Sequence, residues 1–269
     1  IVREIARRGM YLVELNTNGS FLTADFLDEL RALDMDTEIK LSFDGIGHHD
    51  WLRGVPHAEE KALRAIKLAK EKGFRVRSQT NVHRGNLDVM YDTIAMLDGL
   101  GVEEIRLIRT TETPRWRANG GDATLGIFEY YDEMTKLIGR CLAGGFQISV
   151  DVWQFVRYRP RYAFHPVQSD CGRYKDSIPA CKGARGTVAV SYTGEVYPCN
   201  QMSGTLANRG VSLGNVKTTA LHELLERGEY LDTVTMPVSE IFEANEICRG
   251  CQYWRCCMGG CRAIALAFT

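Results

Sequence analysis

Seven of the nine cysteines in this chain stand at spacings that suit metal binding. Cys248, Cys251, Cys257 and Cys261 read C-x2-C-x5-C-x3-C, and Cys171, Cys181 and Cys199 stand upstream. An iron–sulfur cluster needs about four thiolates, drawn from near or distant parts of a chain. In C-x2-C a tight turn aims two sulfurs the same way, and Met258-Gly259-Gly260 lets the backbone fold sharply before Cys261. A zinc-ribbon site is one alternative. It uses four thiolates and leaves Cys171, Cys181 and Cys199 without a role. A disulfide knot is a third, and the odd count of nine argues against a fully paired framework. Reduced cysteines point to a cytoplasmic setting.

The elements that must position these groups fall into two textures. Over residues 1–150, short apolar runs alternate with helical patterns. The runs are Tyr11–Leu15, Ile39–Phe43, Arg75–Asn81, Ile105–Arg109 and Phe146–Val150. Leu63, Ile66 and Ala69 share one helical face opposite Lys61, Arg64, Lys67 and Lys70, and Leu87, Met90, Tyr91, Ile94 and Leu97 follow a second helical period. Gly73 and Gly101 stand where such helices end. Strand–helix repetition predicts a parallel sheet with helices outside it. A closed eight-stranded barrel, an open doubly wound sheet and a partial barrel all fit that pattern.

Residues 151–170 break the repeat. Arg157, Arg159 and Arg161 alternate there with Val156, Tyr158, Pro160 and Tyr162, which reads as a solvated bridge between domains. Residues 171–269 have a small-domain texture. Thr187–Ser191 and Glu195–Tyr197 form a hairpin turned at Gly194, which carries Cys199 back towards Cys181, and a short helix follows near Thr219–Arg227. Cys141 sits in a helical stretch and reads as a core residue.

The bulk numbers exclude some classes. Apolar content of 45% and charged content of 25% are ordinary for a globular chain. A formal net charge of −1 gives no basic field for nucleic acid. No apolar run approaches the roughly 18 residues of a membrane span.

Taken together, the cysteines resemble the SPASM domain, the auxiliary-cluster module at the C-terminus of many radical SAM enzymes. Asn16-Thr17-Asn18-Gly19 after one strand and Ser42-Phe43-Asp44-Gly45 after the next resemble motifs of the radical SAM core. The resemblance favours the partial barrel. It implies an α/β fold: a (βα) barrel of radical SAM type lacking its first strands over residues 1–150, a bridge, and a cysteine-rich α+β SPASM domain over 171–269. It implies [4Fe-4S] clusters held by Cys171, Cys181, Cys199 and Cys261, and by Cys248, Cys251 and Cys257. Cys256 falls outside the pattern. The second cluster's fourth cysteine is expected beyond Thr269.

The resemblance also implies S-adenosylmethionine bound at the C-terminal ends of the strands, where βα folds place ligands on general grounds. Asn18, Gly19, Ser42, Asp44, Arg53 and Asn81 would hold it. Ser42 and Asp44 would bond its ribose or amino acid end, and Arg53 would pair its carboxylate. Glu112, Arg115 and Trp116 would line the same side. His48-His49-Asp50 reads as a loop feature. The signature C-x3-C-x2-C does not occur in the chain. With Ile1 opening on a helix already under way, the chain reads as a fragment cut at both ends and inactive alone.

The intact parent would use a 5′-deoxyadenosyl radical on a peptide or protein substrate, with electrons from a flavodoxin- or ferredoxin-type donor and no nucleic acid or membrane partner. A peptide maturase is favoured over a sulfatase-maturing type, because Asn200 stands where those relatives carry an acidic base. A non-enzymatic zinc or iron–sulfur module is the rival from another class.

Overall fold

In a computed structural model of the chain, the residues described are 1–110, 114–153, 156–160, 163–166, 187–227, 232, 235–251 and 261–263. The chain divides into two compact units, Ile1–Val167 and Gln168–Thr269.

The first unit is built on one sheet whose strands follow chain order. They are β1 (Glu14–Thr17), β2 (Glu38–Ser42), β3 (Val76–Val82), β4 (Glu104–Arg109), β5 (Ser149–Val152), β6 (Val156–Arg159) and β7 (Ala163–Pro166). β1 to β5 are parallel; β6 and β7 are antiparallel additions. The order never reverses, whereas a doubly wound sheet reverses at its switch point. Winding is therefore of the barrel kind, as expected of a partial barrel. Helix α1 (Val2–Arg7) precedes β1, and α2 (Ala24–Ala32) joins β1 to β2. After β2 come α3 (His49–Arg53) and α4 (Ala58–Glu71). α5 (Met90–Gly99) precedes β4, and α6 (Pro114–Gly120) and α7 (Ile127–Ala143) precede β5.

Period-two alternation gives the parallel strands two unlike faces. Ile39, Leu41, Val76, Ile105, Leu107, Val150 and Val152 are buried in one apolar core. They pack with Leu27 and Leu30 of α2, Ala62, Ala65 and Ile66 of α4, Met90, Ile94 and Leu97 of α5, and Tyr130, Met134 and Ile138 of α7. Each large aliphatic side chain so buried contributes roughly 1.5–3 kcal/mol. Cys141 lies in this core, where burial pushes its thiol up to about 11. The other face carries Glu14, Glu38, Lys40, Ser42, Arg77, Gln79, Glu104, Arg106 and Asp151, matched strand to strand by the register.

Local chemistry sets the element ends. Thr23 caps α2 by accepting the Phe26 N–H at 3.3 Å. α4 and α5 end before Gly73 and Gly101, whose amides bond back to Lys70 and Asp98.

Three sequence expectations need correction. β1 begins at Glu14 instead of Tyr11, because Tyr11 and Val13 are exposed and the ladder to β2 starts at Glu14. β5 begins at Ser149, because the Gln147 and Ile148 amides are taken by Asp98 Oδ1. Of the alternating arginines after Val152, Arg157 and Arg159 lie on strand β6, and Arg161 lies outside the described residues. β6 pairs with β5, Tyr158 is buried, and Arg157 meets Asp151.

In the second unit, β8 (Ala189–Val190) and β9 (Val196–Tyr197) form the expected hairpin. Gly194 turns it at φ +101, with its amide on Ser191 O. Val196, Leu213 and Leu224 form a small core beneath it. Helix α8 (Asn200–Asn208) follows β9, and shorter helices span Leu221–Leu225, Val238–Ala244 and Glu246–Arg249. Among the described residues no helix is long and apolar enough to cross a membrane.

Candidate functional site

A pocket of ≈ 250 Å³ opens at the C-terminal ends of β1, β2 and β3, lined by Asn16, Thr17, Asn18, Lys40, Ser42 and Gln79. Of the residues expected to hold a nucleotide-like cofactor, Asn18 and Ser42 line it. Local bonds shape its rim: Thr17 Oγ1 accepts the Gly19 N–H at 3.1 Å, and Asn18 Oδ1 accepts the Ser20 N–H at 3.0 Å. Gly19 itself packs outward. Its φ is +78, and a Cβ there would stand 2.6 Å from Ala65 Cβ of α4. The glycine lets the loop sit on the helix.

Asp44, Arg53 and Asn81 form a second cluster, outside the pocket lining. The Asp44 carboxylate is wholly buried. Its Oδ1 accepts the Asn81 backbone N–H at 2.9 Å and the Asn81 amide at 3.4 Å. Its Oδ2 stands 2.7 Å from Arg53 Nη2 and 3.0 Å from His49 Nδ1. Asn86 closes the knot by donating to Asp44 O at 2.7 Å. Both carboxylate oxygens are thus satisfied from within the protein. The His48-His49-Asp50 segment is a correction: His49 and Asp50 open α3, and His49 is buried against Asp44 instead of lying in a loop.

The polar face of the sheet carries a ladder of ion pairs that the sequence expectations missed. Lys40 meets Glu14 at 3.3 Å; Arg77 meets Glu14 at 3.7 Å, Glu38 at 3.2 Å and Glu104 at 3.1 Å. Arg106 meets Asp151 at 2.8 Å, and Arg157 meets the same carboxylate at 3.0 Å. Arg106 also lies over the Trp153 ring, 4.6 Å from its centroid. The available signal was polar residues at alternate positions in Glu38-x-Lys40-x-Ser42 and Arg75-x-Arg77-x-Gln79. A sheet whose inner face is charged while its outer face is packed is suited to enclosing a polar ligand.

Beyond the end of β3, His83 is buried among aromatic rings. Trp51 lies 5.1 Å away and Trp116 6.0 Å away, centroid to centroid. Burial, then the charge of His48, holds the His83 imidazole below its ordinary value, with Asp44 opposing. Its Nδ1 accepts the Gly85 N–H at 3.2 Å. Trp116 donates to Thr124 Oγ1 at 2.6 Å. Glu112 and the side chain of Arg115 lie outside the described residues.

In the second unit, two of the expected cluster ligands each contact the first turn of one helix. Cys199 is the N-cap of α8, its sulfur accepting the Met202 N–H at 3.4 Å. The Cys261 sulfur stands 3.6 Å from Gln201 Oε1, in the first turn of the same helix. Cys248 and Cys251 are joined by a turn, Cys251 N–H to Cys248 O at 3.0 Å. None of these four is in a disulfide. Sulfur is the donor atom of an iron–sulfur ligand set, and Cys199 and Cys261 bring two such atoms to the first turn of α8, one facing the Met202 amide and the other the Gln201 side-chain oxygen. Cys171, Cys181, Cys256 and Cys257 lie outside the described residues, and no group of three or more ligating side chains gathers among those described.

Comparison with known proteins agrees with both halves. Residues 181–252 match SPASM, an iron–sulfur cluster-binding domain. The chain is 25% identical to an AdoMet-dependent heme synthase of Oleidesulfovibrio alaskensis over 93% of its length, and it spans 62% of that relative. It is 23% identical, over its whole length, to a PqqA peptide cyclase of Bradyrhizobium diazoefficiens, of which it spans 66%. Its fold is similar to the solved structure described as native anSMEcpe with bound AdoMet and Kp18Cys peptide. The TM-score is 0.62 at 18% identity, over 97% of this chain and 69% of that one.

Proposed function

This chain belongs with the radical SAM/SPASM proteins, and on that premise we propose that the intact protein modifies a peptide or protein side chain. S-adenosylmethionine, once bound beside a reduced iron–sulfur cluster, would take one electron from it and supply methionine and a 5′-deoxyadenosyl radical able to abstract hydrogen from such a substrate. The residues of this chain bind, orient and insulate. The observation that carries the proposal is the polar pocket at the ends of β1–β3. Its hydroxyl, amide and ammonium groups suit a ribose and a charged amino acid end. Cys171, Cys181, Cys199 and Cys261 would hold the first auxiliary cluster, and Cys248, Cys251 and Cys257 the second. A flavodoxin- or ferredoxin-type protein would deliver electrons, in an anaerobic cytoplasm.

The similarity to the heme synthase favours a second reading, a tetrapyrrole substrate. The charge pattern of the sheet's polar face argues for the peptide. Arg77, Arg106 and Arg157 each already face a carboxylate of Glu38 or Asp151, which leaves Lys40 as the one cation of the pocket lining. A substrate bearing several carboxylates wants several spare cations, which the paired arginines of this ladder do not offer.

The test uses the full-length protein, reconstituted anaerobically with iron and sulfide and given reductant and S-adenosylmethionine. Peptides translated from small reading frames beside its gene are supplied in one arm, and a tetrapyrrole precursor of heme in the other. Formation of 5′-deoxyadenosine with a hydrogen-loss mass change in a peptide supports the proposal. A change in the tetrapyrrole alone replaces it with the second reading. No 5′-deoxyadenosine in either arm removes the radical reading altogether, and zinc in place of iron points to a structural module.

A further inference from the structure

Resting on the S-adenosylmethionine reading of the pocket, we infer that Lys40 is the residue that meets the α-carboxylate of the cofactor's amino acid end. That part was expected of Arg53. The geometry assigns Arg53 elsewhere: its Nη2 is 2.7 Å from Asp44, a carboxylate with no exposure to solvent. Arg53 is also absent from the lining of the pocket, of which Lys40 is part.

Lys40 is the one cation among the six residues lining the pocket. It sits on β2 two positions before Ser42, so both side chains face the same way. Its side chain is 11% exposed, and its orientation is fixed by Glu14 Oε1 at 3.3 Å. That contact does not exhaust it. An ammonium has three N–H donors, and Glu14 holds one. Glu14 is itself shared: the same Oε1 accepts from Asn16 at 2.7 Å, and Oε2 faces Arg77 at 3.7 Å. The lysine charge is therefore only partly offset, and its remaining donors are available to a carboxylate entering the pocket. Glu14 keeps the local field near neutral, so that a ligand carrying a positive sulfonium is not repelled along with its carboxylate being drawn in.

Two unreactive ligands isolate the contact. S-adenosylhomocysteine and 5′-methylthioadenosine share adenosine and a neutral thioether, and only the first carries the amino acid. Binding of each to the full-length, iron-reconstituted protein is measured by titration calorimetry for wild type, Lys40→Met and Lys40→Arg. Lys40→Met is expected to weaken S-adenosylhomocysteine about 10- to 100-fold, the worth of a charge-assisted bond, while 5′-methylthioadenosine binds as before. Lys40→Arg is expected to recover most of the loss. Unchanged binding of both ligands overturns the assignment. Parallel loss of both also overturns it, because Lys40 would then only shape the pocket. A wild-type protein that binds neither ligand removes the cofactor reading itself, and the Lys40 assignment with it.

Discussion

The Arg53 guanidinium stands 2.7 Å from the Asp44 carboxylate, across the turn that leads from β2 into α3. The pair ties the end of a central strand to the helix that follows it. Arg53→Met leaves a buried carboxylate with only His49 and Asn81 for company, and is expected to cost about 3–5 kcal/mol. Asp44→Asn in the same background should recover part of that loss, since the amide needs no counter-charge. Urea unfolding of the two variants is the check. A loss under about 1 kcal/mol for Arg53→Met, within reach of an exposed pair, would show that the pair is ornamental.

Gly19→Ala tests how the pocket rim is held. The new methyl would sit at φ +78 and 2.6 Å from Ala65 Cβ, an atom with no rotamer to move. Left-handed backbone and overpacking together predict a destabilisation of about 2–4 kcal/mol. The shift in urea midpoint measures it, and Gly47→Ala, where φ is +75 but nothing lies within 4 Å, should cost only the backbone share.

His83 should make stability depend on pH. Burial lowers its pKa in the folded protein, so the unfolded chain takes up this proton first as pH falls. Its contribution is complete above about pH 6.5 and is lost as pH drops below that towards the folded value. His83→Asn keeps an acceptor for the Gly85 amide and removes the titrating group. Between about pH 7.5 and about pH 5.5, the variant should therefore lose less of its thermal midpoint than wild type. Equal losses would assign the pH dependence to other groups.

The cysteines should separate into two kinds under metal analysis. Cys199 and Cys261 both reach the first turn of α8, so Cys199→Ala and Cys261→Ala should each lose the same cluster, about four irons, after anaerobic reconstitution. Cys141→Ala should lose none, because Cys141 is packed in the other unit's core with its thiol held neutral. Mössbauer spectra and iron counts on the three variants decide this. Retention of full iron in Cys199→Ala would refute its role as a ligand.

The βα repeat and the cysteine spacings were legible because each is a local pattern repeated: helical faces such as Leu63–Ile66–Ala69, and hairpin geometry around Gly194. What escaped was whatever depends on which face a strand turns inward. Arg157 looked like a solvated charge because the run after Val152 lacks a long apolar stretch. In the fold it is a strand residue paired with Asp151. Arg53 and Lys40 are both cations near a strand end, and sequence alone could not tell that a buried carboxylate had claimed the first. Asp44 looked equally available, and only three-dimensional packing shows both its oxygens engaged.

The strict alternation along β2 has a consequence for how such a protein can diverge. Ile39 and Leu41 hold the helices, while Lys40 and Ser42 face the pocket. Chemistry and stability are thus written on interleaved letters of one short stretch of sequence. Odd positions can stay fixed while even ones drift, so new ligand preferences are reachable by single substitutions that leave the scaffold untouched. A one-residue insertion in the same strand would do the opposite, exchanging both sets at once.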